Sequence, residues 1–216
     1  MRPESSRSRY IAVEGPPGAG VGTLAERLAA ELDARLVRDP TGDNPFLEGF
    51  ANDPRRHAFQ AQLYMLLARY RQQGELGQED LFARGGVVAD YCFARDRLWA
   101  LRVLSAEEMS LYDKVHALLG ARVPRPDLVV YLTARPEVLR ARLRRRVKAT
   151  DRVVENGLVD EIARDMSEYF FRYTDGPLLT VNTSEIDYVE DGKALDEIVA
   201  VIRKTRAGTT HYNPGM

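Results

Sequence analysis

Apolar residues alternate along the chain between short continuous runs and helical repeats. The short runs predict five buried strands, at 9–15, 34–37, 86–90, 127–132 and 177–182. Apolar positions at helical spacing and capping residues predict the helices, at Leu24–Leu32, Asp53 to about Gln73, Ser105 to about Leu119, Pro136 onward, about Leu158 to Tyr173, and near Leu195–Arg203. This alternation favours a three-layer α/β/α fold with a five-stranded parallel sheet covered by helices on both faces.

Composition narrows the class of protein. A chain of 216 residues fits one α/β domain, expected over 10–206 after a lead-in at 1–9 and before a tail at 207–216. A net charge of -1 argues against broad binding to nucleic acid or anionic membranes, and no apolar run reaches the length of a membrane span. With Cys92 as the single cysteine and no apolar leader, we expect a soluble cytoplasmic protein.

The segment GPPGAGVGT (15–23) lies between the first predicted strand and the first helix. Glycines free the backbone N–H groups to point inward at the positive end of a helix, where a polyanion binds. The segment therefore predicts a P-loop kinase-like site for the phosphates of ATP, with the Thr23 hydroxyl toward Mg²⁺. The other loop residues expected to hold the nucleotide are Gly15, Gly18, Ala19, Gly20, Val21 and Gly22. The alternative is a tight strand–helix turn with no phosphate role.

Val21 occupies the position where a phosphate loop carries lysine. The valine has neither charge nor donor, and losing one transition-state donor typically lowers a rate by about 10²–10³. The chain has four lysines and none lies beside the loop in sequence, so an arginine would have to take over the role. Gly22 is a smaller departure, since adenylate kinase loops also have glycine there.

Several downstream segments resemble the bacterial, deoxyguanosine/deoxyadenosine kinase-like branch of the deoxynucleoside kinases. They are NPFLEGF, DPRRHAFQAQLYMLLARYRQQ, VVADYCFARDRLWA, VPRPDLVVYLTARPEVLRARLRRR and PLLTVNTSEIDYVED. The resemblance runs from about Tyr10 to the tail. It implies transfer of the γ-phosphoryl group of ATP, with Mg²⁺, to the 5′-hydroxyl of a deoxynucleoside. It also implies a homodimer formed through the long helices.

The resemblance assigns roles to residues that follow the predicted strands. Asp39, before Pro40, matches the family's glutamate base, although an Asp-Pro turn without catalytic function is the alternative. Gln62 matches a glutamine that reads the edge of the nucleobase. Arg69 and Asp96 match a charged pair in the same pocket, against the alternative of a structural ion pair beside a solvated glutamine.

The sugar contacts match the family less closely. Ala51 stands where the family often has a tyrosine that holds the 3′-hydroxyl. Asp90, followed by Tyr91, replaces a Glu-Arg pair and is expected to bind substrate. Asp151 matches a carboxylate expected to hold the same hydroxyl.

An arginine-rich segment corresponds to the family's lid, at about 142–155. The resemblance implies that Arg142 and Arg146 act in catalysis and that Arg144 binds the nucleotide. Arginine forks suit phosphoryl oxygens and would partly offset Val21. The alternative is a solvated basic face of a helix.

Three functions are compatible with the sequence. The first is a working deoxynucleoside kinase of nucleotide salvage, favoured by the glycine framework, the lid and the base-reading residues. The second is a catalytically silent relative that binds nucleotide as a scaffold or regulatory partner, favoured by Val21 and Ala51. A third, an adenylate-kinase-like phosphotransferase, rests on the loop alone. Gln62, Arg69 and Asp96 are compatible with a purine or with cytosine as the base.

Overall fold

The structure, a computed structural model, describes residues 9–79, 86–145, 158–186, 188 and 191–214. Strands and helices alternate through these residues as the pattern predicts. They are β1 (Tyr10–Glu14), α1 (Val21–Leu32), β2 (Arg35–Val37), a 3₁₀ turn (Pro40–Asp43), α2 (Leu47–Asn52), α3 (Pro54–Glu79), β3 (Val87–Ala89), α4 (Arg95–Val103), α5 (Ala106–Gly120), β4 (Leu128–Thr133), α6 (Pro136–Arg144), α7 (Leu158–Phe171), β5 (Leu178–Asn182), α8 (Gly192–Lys204) and β6 (Thr209–Tyr212).

The sheet is parallel throughout, with the strand order β2-β3-β1-β4-β5-β6. It has six strands, whereas the sequence pattern predicts five. The additional strand, β6, lies in the segment 207–216, which the sequence pattern predicts to be a tail, and it pairs with β5 at the edge of the sheet. Its exposed and half-buried residues alternate without an apolar run, which is why the hydrophobic pattern does not predict it.

Helices cover both faces of the sheet, which confirms the three-layer arrangement. On one face, α1, α6 and α8 pack against alternate residues of the central strands, such as Ile11 and Val13 of β1. On the other face, α3, α4 and α7 pack against the intervening residues, such as Tyr10 and Ala12. This burial on both sides explains the continuous apolar runs of the central strands.

Helix boundaries follow local signals in the sequence. Ser105 and Glu108 form the predicted capping box at the start of α5, each side chain accepting a hydrogen bond from the other residue's backbone N–H. The long helix α3 continues past the expected end at about Gln73 to Glu79. The short helix α2 and the polar helix α4 are not among the predicted elements.

Parallel pairing brings the carboxyl ends of the strands to one edge of the sheet. The residues that follow β1, β2 and β3 therefore lie near one another, among them Gly15, Asp39 and Asp90. In α/β sheets ligands bind outside this edge, where the strand order reverses direction. β1 is at such a point, with β3 on one side and β4 on the other.

Candidate functional site

The glycine-rich loop after β1 has a backbone that glycine alone adopts without strain. Gly18 and Gly20 have φ angles of +88° and +89°. A Cβ on Gly18 would lie 2.6 Å from the carbonyl oxygen of Leu139, and one on Gly20 would lie 2.2 Å from the hydroxyl oxygen of Tyr188. The loop is thus held between α6 and the segment before α8 with no room for side chains at these two positions.

The loop leads into the N-terminus of α1, which has no side-chain cap. The first-turn N–H groups of a helix have no intrahelical acceptor, and here no side chain satisfies them from the cap position. Tyr188 fixes the loop from the opposite side, donating its hydroxyl to the carbonyl oxygens of Ala19 and Gly20 at 2.9 Å each. A glycine-rich loop that leads into an uncapped helix N-terminus fits a phosphate group.

A cavity of about 480 Å³ extends from this loop across the carboxyl edge of the sheet to α3. Its polar lining includes the loop together with Asp39, Gln62, Arg69 and Asp90, which sequence reasoning proposed separately. Its apolar lining includes Leu47, Phe50, Ala61, Met65 and Trp99. A cavity with a phosphate-type cradle at one end and an apolar wall with few polar groups at the other is typical of a nucleoside or nucleotide site.

Asp39 lies between the two ends of the cavity and is fixed by several contacts. Its two carboxylate oxygens accept hydrogen bonds from Nη2 of Arg69 at 2.9 and 2.8 Å. Arg95 Nη1 lies 3.2 Å from Asp39 Oδ2, and the backbone N–H and hydroxyl of Thr41 donate to Oδ1 at 3.1 and 2.7 Å. The backbone N–H of Asp39 donates to Asp90 Oδ1 at 2.5 Å, which fixes the end of β2 to the end of β3.

The charges around Asp39 keep it ionised. Burial alone would raise the pKa of its carboxyl, but the guanidinium groups of Arg69 and Arg95 outweigh burial and lower this pKa to about 2. At Asp90, in contrast, burial is the largest effect and raises the pKa of the carboxyl. The site therefore presents a negative group at Asp39 at neutral pH, paired with two arginines.

Arg69 links Asp39 to Asp96 through opposite nitrogens of its guanidinium group. Nη1 pairs with Asp96 Oδ1, so the predicted pair is present, and both residues are buried. Burial raises the pKa of Asp96 to about 6 in spite of this partner. Arg69 Nε and Asp96 Oδ2 are buried and have no hydrogen-bond partner among the described residues. Gln62, also buried, lines the same end of the cavity.

Glu14, at the end of β1, is a functional candidate that sequence reasoning missed. Its side chain is fully buried and accepts backbone hydrogen bonds from Cys92 to Oε1 at 2.7 Å and from Gly15 to Oε2 at 3.2 Å. One carboxyl thus connects the start of the loop to the segment after β3. Burial raises the pKa of Glu14 to about 7. The signal in the sequence was a lone acidic residue at the end of an otherwise apolar strand.

The arginines expected to form a lid are only partly described. Arg142 donates to the Thr183 hydroxyl at 3.0 Å and to the carbonyl oxygens of Thr183 and Ile186 at 2.7 and 2.8 Å, and it is not among the residues that line the cavity. Arg144 is exposed at the end of α6. Arg146 and Asp151 lie outside the described residues, so the roles expected for the lid remain predictions.

Comparison with known sequences identifies the family of the chain. A family profile described as "Deoxynucleoside kinase" matches residues 11–206. The chain belongs to the deoxynucleoside kinase family. Deoxyguanosine kinase of Bacillus subtilis is 26% identical over 199 residues, which is 90% of this chain and 96% of the relative. Deoxyadenosine kinase of Dictyostelium discoideum is 28% identical over 197 residues, covering 86% of this chain and 76% of the relative.

Solved structures agree with this fold. Deoxyadenosine kinase from M. mycoides with bound dATP superposes with a TM-score of 0.76 at 20% identity, covering 91% of this chain and 100% of that chain. The same enzyme with dCTP gives a TM-score of 0.72 at 20% identity, covering 90% and 98%. None of the helices among the described residues is long and apolar enough to cross a membrane.

Departures from the family pattern are visible at the cavity. Val21, the first residue of α1, is half-buried, lines the cavity and packs against the core. Ala51 lies in α2 against the cluster around Phe50 and is not among the lining residues. Arg95 and Trp99 also line the cavity, and the sequence pattern assigns neither of them a functional role. The sequence signal for Arg95 was its place directly before Asp96.

Proposed function

We propose that the chain transfers the γ-phosphoryl group of ATP to the 5′-hydroxyl of a deoxynucleoside bound in the cavity. In this reaction the 5′-oxygen forms a bond to the γ-phosphorus while the bond to the bridging oxygen of ADP breaks, and the hydroxyl proton passes to a carboxylate. The observation that carries the proposal is that the phosphate-type loop, an ionised carboxylate and Gln62 line one cavity.

The loop 15–23 is the proposed site for the phosphates. The positive φ angles of Gly18 and Gly20 and the uncapped start of α1 support it, because both leave backbone N–H groups for an anion. Thr23, in the first turn of α1, would hold Mg²⁺ together with the nucleotide. Mg²⁺ neutralises developing charge in phosphoryl transfer when it is bound.

Asp39 is the proposed base. It is ionised at neutral pH and lies between the loop and the α3 end of the cavity, where the 5′-hydroxyl has to be placed. A pKa of about 2 makes a weak base, since proton transfer is most effective when the pKa lies near the working pH. We therefore expect the contact with Arg69 to loosen when substrate binds.

The α3 end of the cavity is the proposed nucleobase site. Gln62 offers a donor and an acceptor on one side chain, which suits the mixed edge of a base. The unpartnered atoms Arg69 Nε and Asp96 Oδ2 support this assignment, because buried polar groups are rarely left unsatisfied without a ligand. Asp90, beside Asp39, would bind the substrate near its sugar.

A transfer assay with matched variants tests the proposal. Purified protein with ATP, Mg²⁺ and each deoxynucleoside in turn is expected to form a 5′-monophosphate, detected by mass spectrometry. Val21→Lys restores the cation that a phosphate loop usually has and is expected to raise the rate, with Val21→Met as a control of similar size and no charge. Absence of product from the wild type and from Val21→Lys with all four nucleosides would reject phosphoryl transfer.

A silent, nucleotide-binding relative is the second candidate. Two observations favour it: Val21 lines the cavity without a charge, and Asp39 is paired with two arginines. In that case nucleoside or ATP raises the melting temperature without turnover, because a ligand that binds the folded state stabilises it.

We further propose that the protein is a cytoplasmic homodimer. The family resemblance points to the long helices as the interface, and α3 and α5 expose Leu67, Leu111 and Leu118. Light scattering with size exclusion tests it, and a monomer at micromolar concentration would contradict it.

A further inference from the structure

Arg95 is the side chain in the cavity best placed to act as a cation toward phosphate. Among the described residues that line the cavity, Arg69 and Arg95 are the basic ones. Arg69 is buried and its guanidinium group is bound to two carboxylates, Asp39 and Asp96. Arg95 is part-exposed, with 19% of its side chain accessible, and within the described chain its guanidinium makes a single ion pair, to Asp39. It is therefore the less committed of the two.

A short series of contacts connects Arg95 to the end of the phosphate loop. A Cβ on Gly22, next to Val21, would lie 3.8 Å from Asp90 Oδ2. Asp90 Oδ1 accepts a hydrogen bond of 2.5 Å from the backbone of Asp39, whose own carboxylate lies 3.2 Å from Arg95. Among charged groups, Arg95 also has the largest effect on the pKa of Glu14, the residue that precedes the loop. The guanidinium is thus linked to the end of the loop through Asp39 and Asp90, and it lines the same cavity as the loop.

The chemistry of the transfer places the phosphoryl group beside Arg95. A base lies within hydrogen-bonding distance of the hydroxyl whose proton it takes, and that oxygen attacks the γ-phosphorus. A guanidinium group in contact with the base is then close to the phosphoryl oxygens as well. Arginine suits this role, because its planar donors pair with phosphate in a bidentate manner.

We propose, on the basis of the proposed function, that Arg95 is a catalytic residue that supplies the cation missing at position 21. When ATP binds, the guanidinium of Arg95 turns from Asp39 to the terminal phosphate. Asp39 retains Arg69 until the nucleoside binds. The site thereby keeps a positive charge on the transferred group although the loop has none.

Binding of ATP and of AMP tests the proposal without requiring turnover. Arg95→Met, measured by calorimetry, is expected to weaken ATP binding by on the order of 10- to 100-fold, the loss typical of charge-assisted hydrogen bonds, and to leave AMP binding unchanged. Arg95→Lys is expected to keep most of the ATP affinity. Arg97→Met is the matched control, because Arg97 lies on the same helix and pairs at the surface with Asp113.

The combination with position 21 separates a direct role from a structural one. In a protein with turnover, Arg95→Met is expected to lower kcat by about 10²–10³, and Val21→Lys is expected to restore much of it in the double variant. A role through Asp39 alone would leave ATP affinity unchanged in Arg95→Met and would overturn the proposal. Two other results would also overturn the proposal. One is a loss of ATP affinity in Arg144→Met but not in Arg95→Met, and the other is no ATP binding by the wild type. If the wild type binds ATP but does not turn over, the proposed function fails while the affinity measurements still decide the role of Arg95.

Discussion

Glu14 gives a pH-dependent test of how the loop is held. Its carboxyl is fully buried and accepts hydrogen bonds from Gly15 and Cys92. Below pH 4.5 both the folded and the unfolded state hold the proton, because the pKa rises from 4.5 to about 7 on folding. Between these values only the unfolded state releases it, so the stability that Glu14 contributes is lost as pH rises toward and through 7.

The size of the effect follows from the same values. A difference of about 2.5 pH units corresponds to on the order of 3 kcal/mol in the free energy of unfolding, most of it between pH 5 and 8. Glu14→Gln cannot release a proton. The NH₂ group of the glutamine faces one of the two backbone N–H donors and cannot accept its hydrogen bond. This lowers the free energy of unfolding by about 1–3 kcal/mol at every pH. We therefore expect the variant to be less stable at pH 5 and to lose less stability on going to pH 8.

Urea unfolding at pH 5, 6, 7 and 8 measures this difference. Asp90 and Asp96 also have raised pKa values, and they titrate in both proteins, so the difference between wild type and variant isolates Glu14. Glu48→Gln, at an exposed position of α2, controls for the chemistry of the substitution. Parallel pH curves for wild type and Glu14→Gln would refute the reasoning.

Three further predictions concern the loop and the base. Gly20→Ala is expected to lower the free energy of unfolding by about 2 kcal/mol, because φ is +89° and the Cβ would meet Tyr188, while Gly74→Ala, in open space on α3, is expected to raise it by about 0.5–1 kcal/mol. Equal changes in the free energy of unfolding for Gly20→Ala and Gly74→Ala, measured with urea, would contradict the loop geometry. Tyr188→Phe removes the hydroxyl proton that the carbonyl oxygens of Ala19 and Gly20 share, so it is expected to lower the free energy of unfolding by about 1–3 kcal/mol and to weaken ATP binding in calorimetry. Unchanged ATP affinity would show that the phosphate site does not depend on Tyr188. Asp39→Asn is expected to lower turnover by about 10²–10⁴ with ATP affinity retained, and wild-type turnover would exclude Asp39 as the base.

Much of the fold follows from local patterns in the sequence. Continuous apolar runs predict the five buried strands, and the capping box at Ser105 predicts the start of α5, because both signals lie within a few residues. The strand β6 could not be predicted, since its pairing with β5 depends on backbone contacts and not on apolar side chains. The polar helix α4 carries three arginines and has a weak apolar face.

The candidate site was predictable residue by residue but not as an arrangement. Asp39, Gln62 and Arg69 were proposed separately, and the structure places them in one cavity. The ion pair between Arg69 and Asp39 joins residues 30 positions apart and has no local signal. Arg95 was not proposed from sequence, because its contact with Asp39 depends on the packing of α4 beside the carboxyl ends of the strands.

Formation of a deoxynucleoside 5′-monophosphate tests the central claim most directly. Wild-type protein at micromolar concentration is incubated with ATP, Mg²⁺ and the four deoxynucleosides, and products are identified by mass spectrometry, with Asp39→Asn as the matched control. The account predicts a 5′-monophosphate from at least one nucleoside, formed together with an equal amount of ADP and at a rate about 10²–10⁴ lower in Asp39→Asn. ADP formation without a nucleotide product, or equal product from Asp39→Asn, would contradict it.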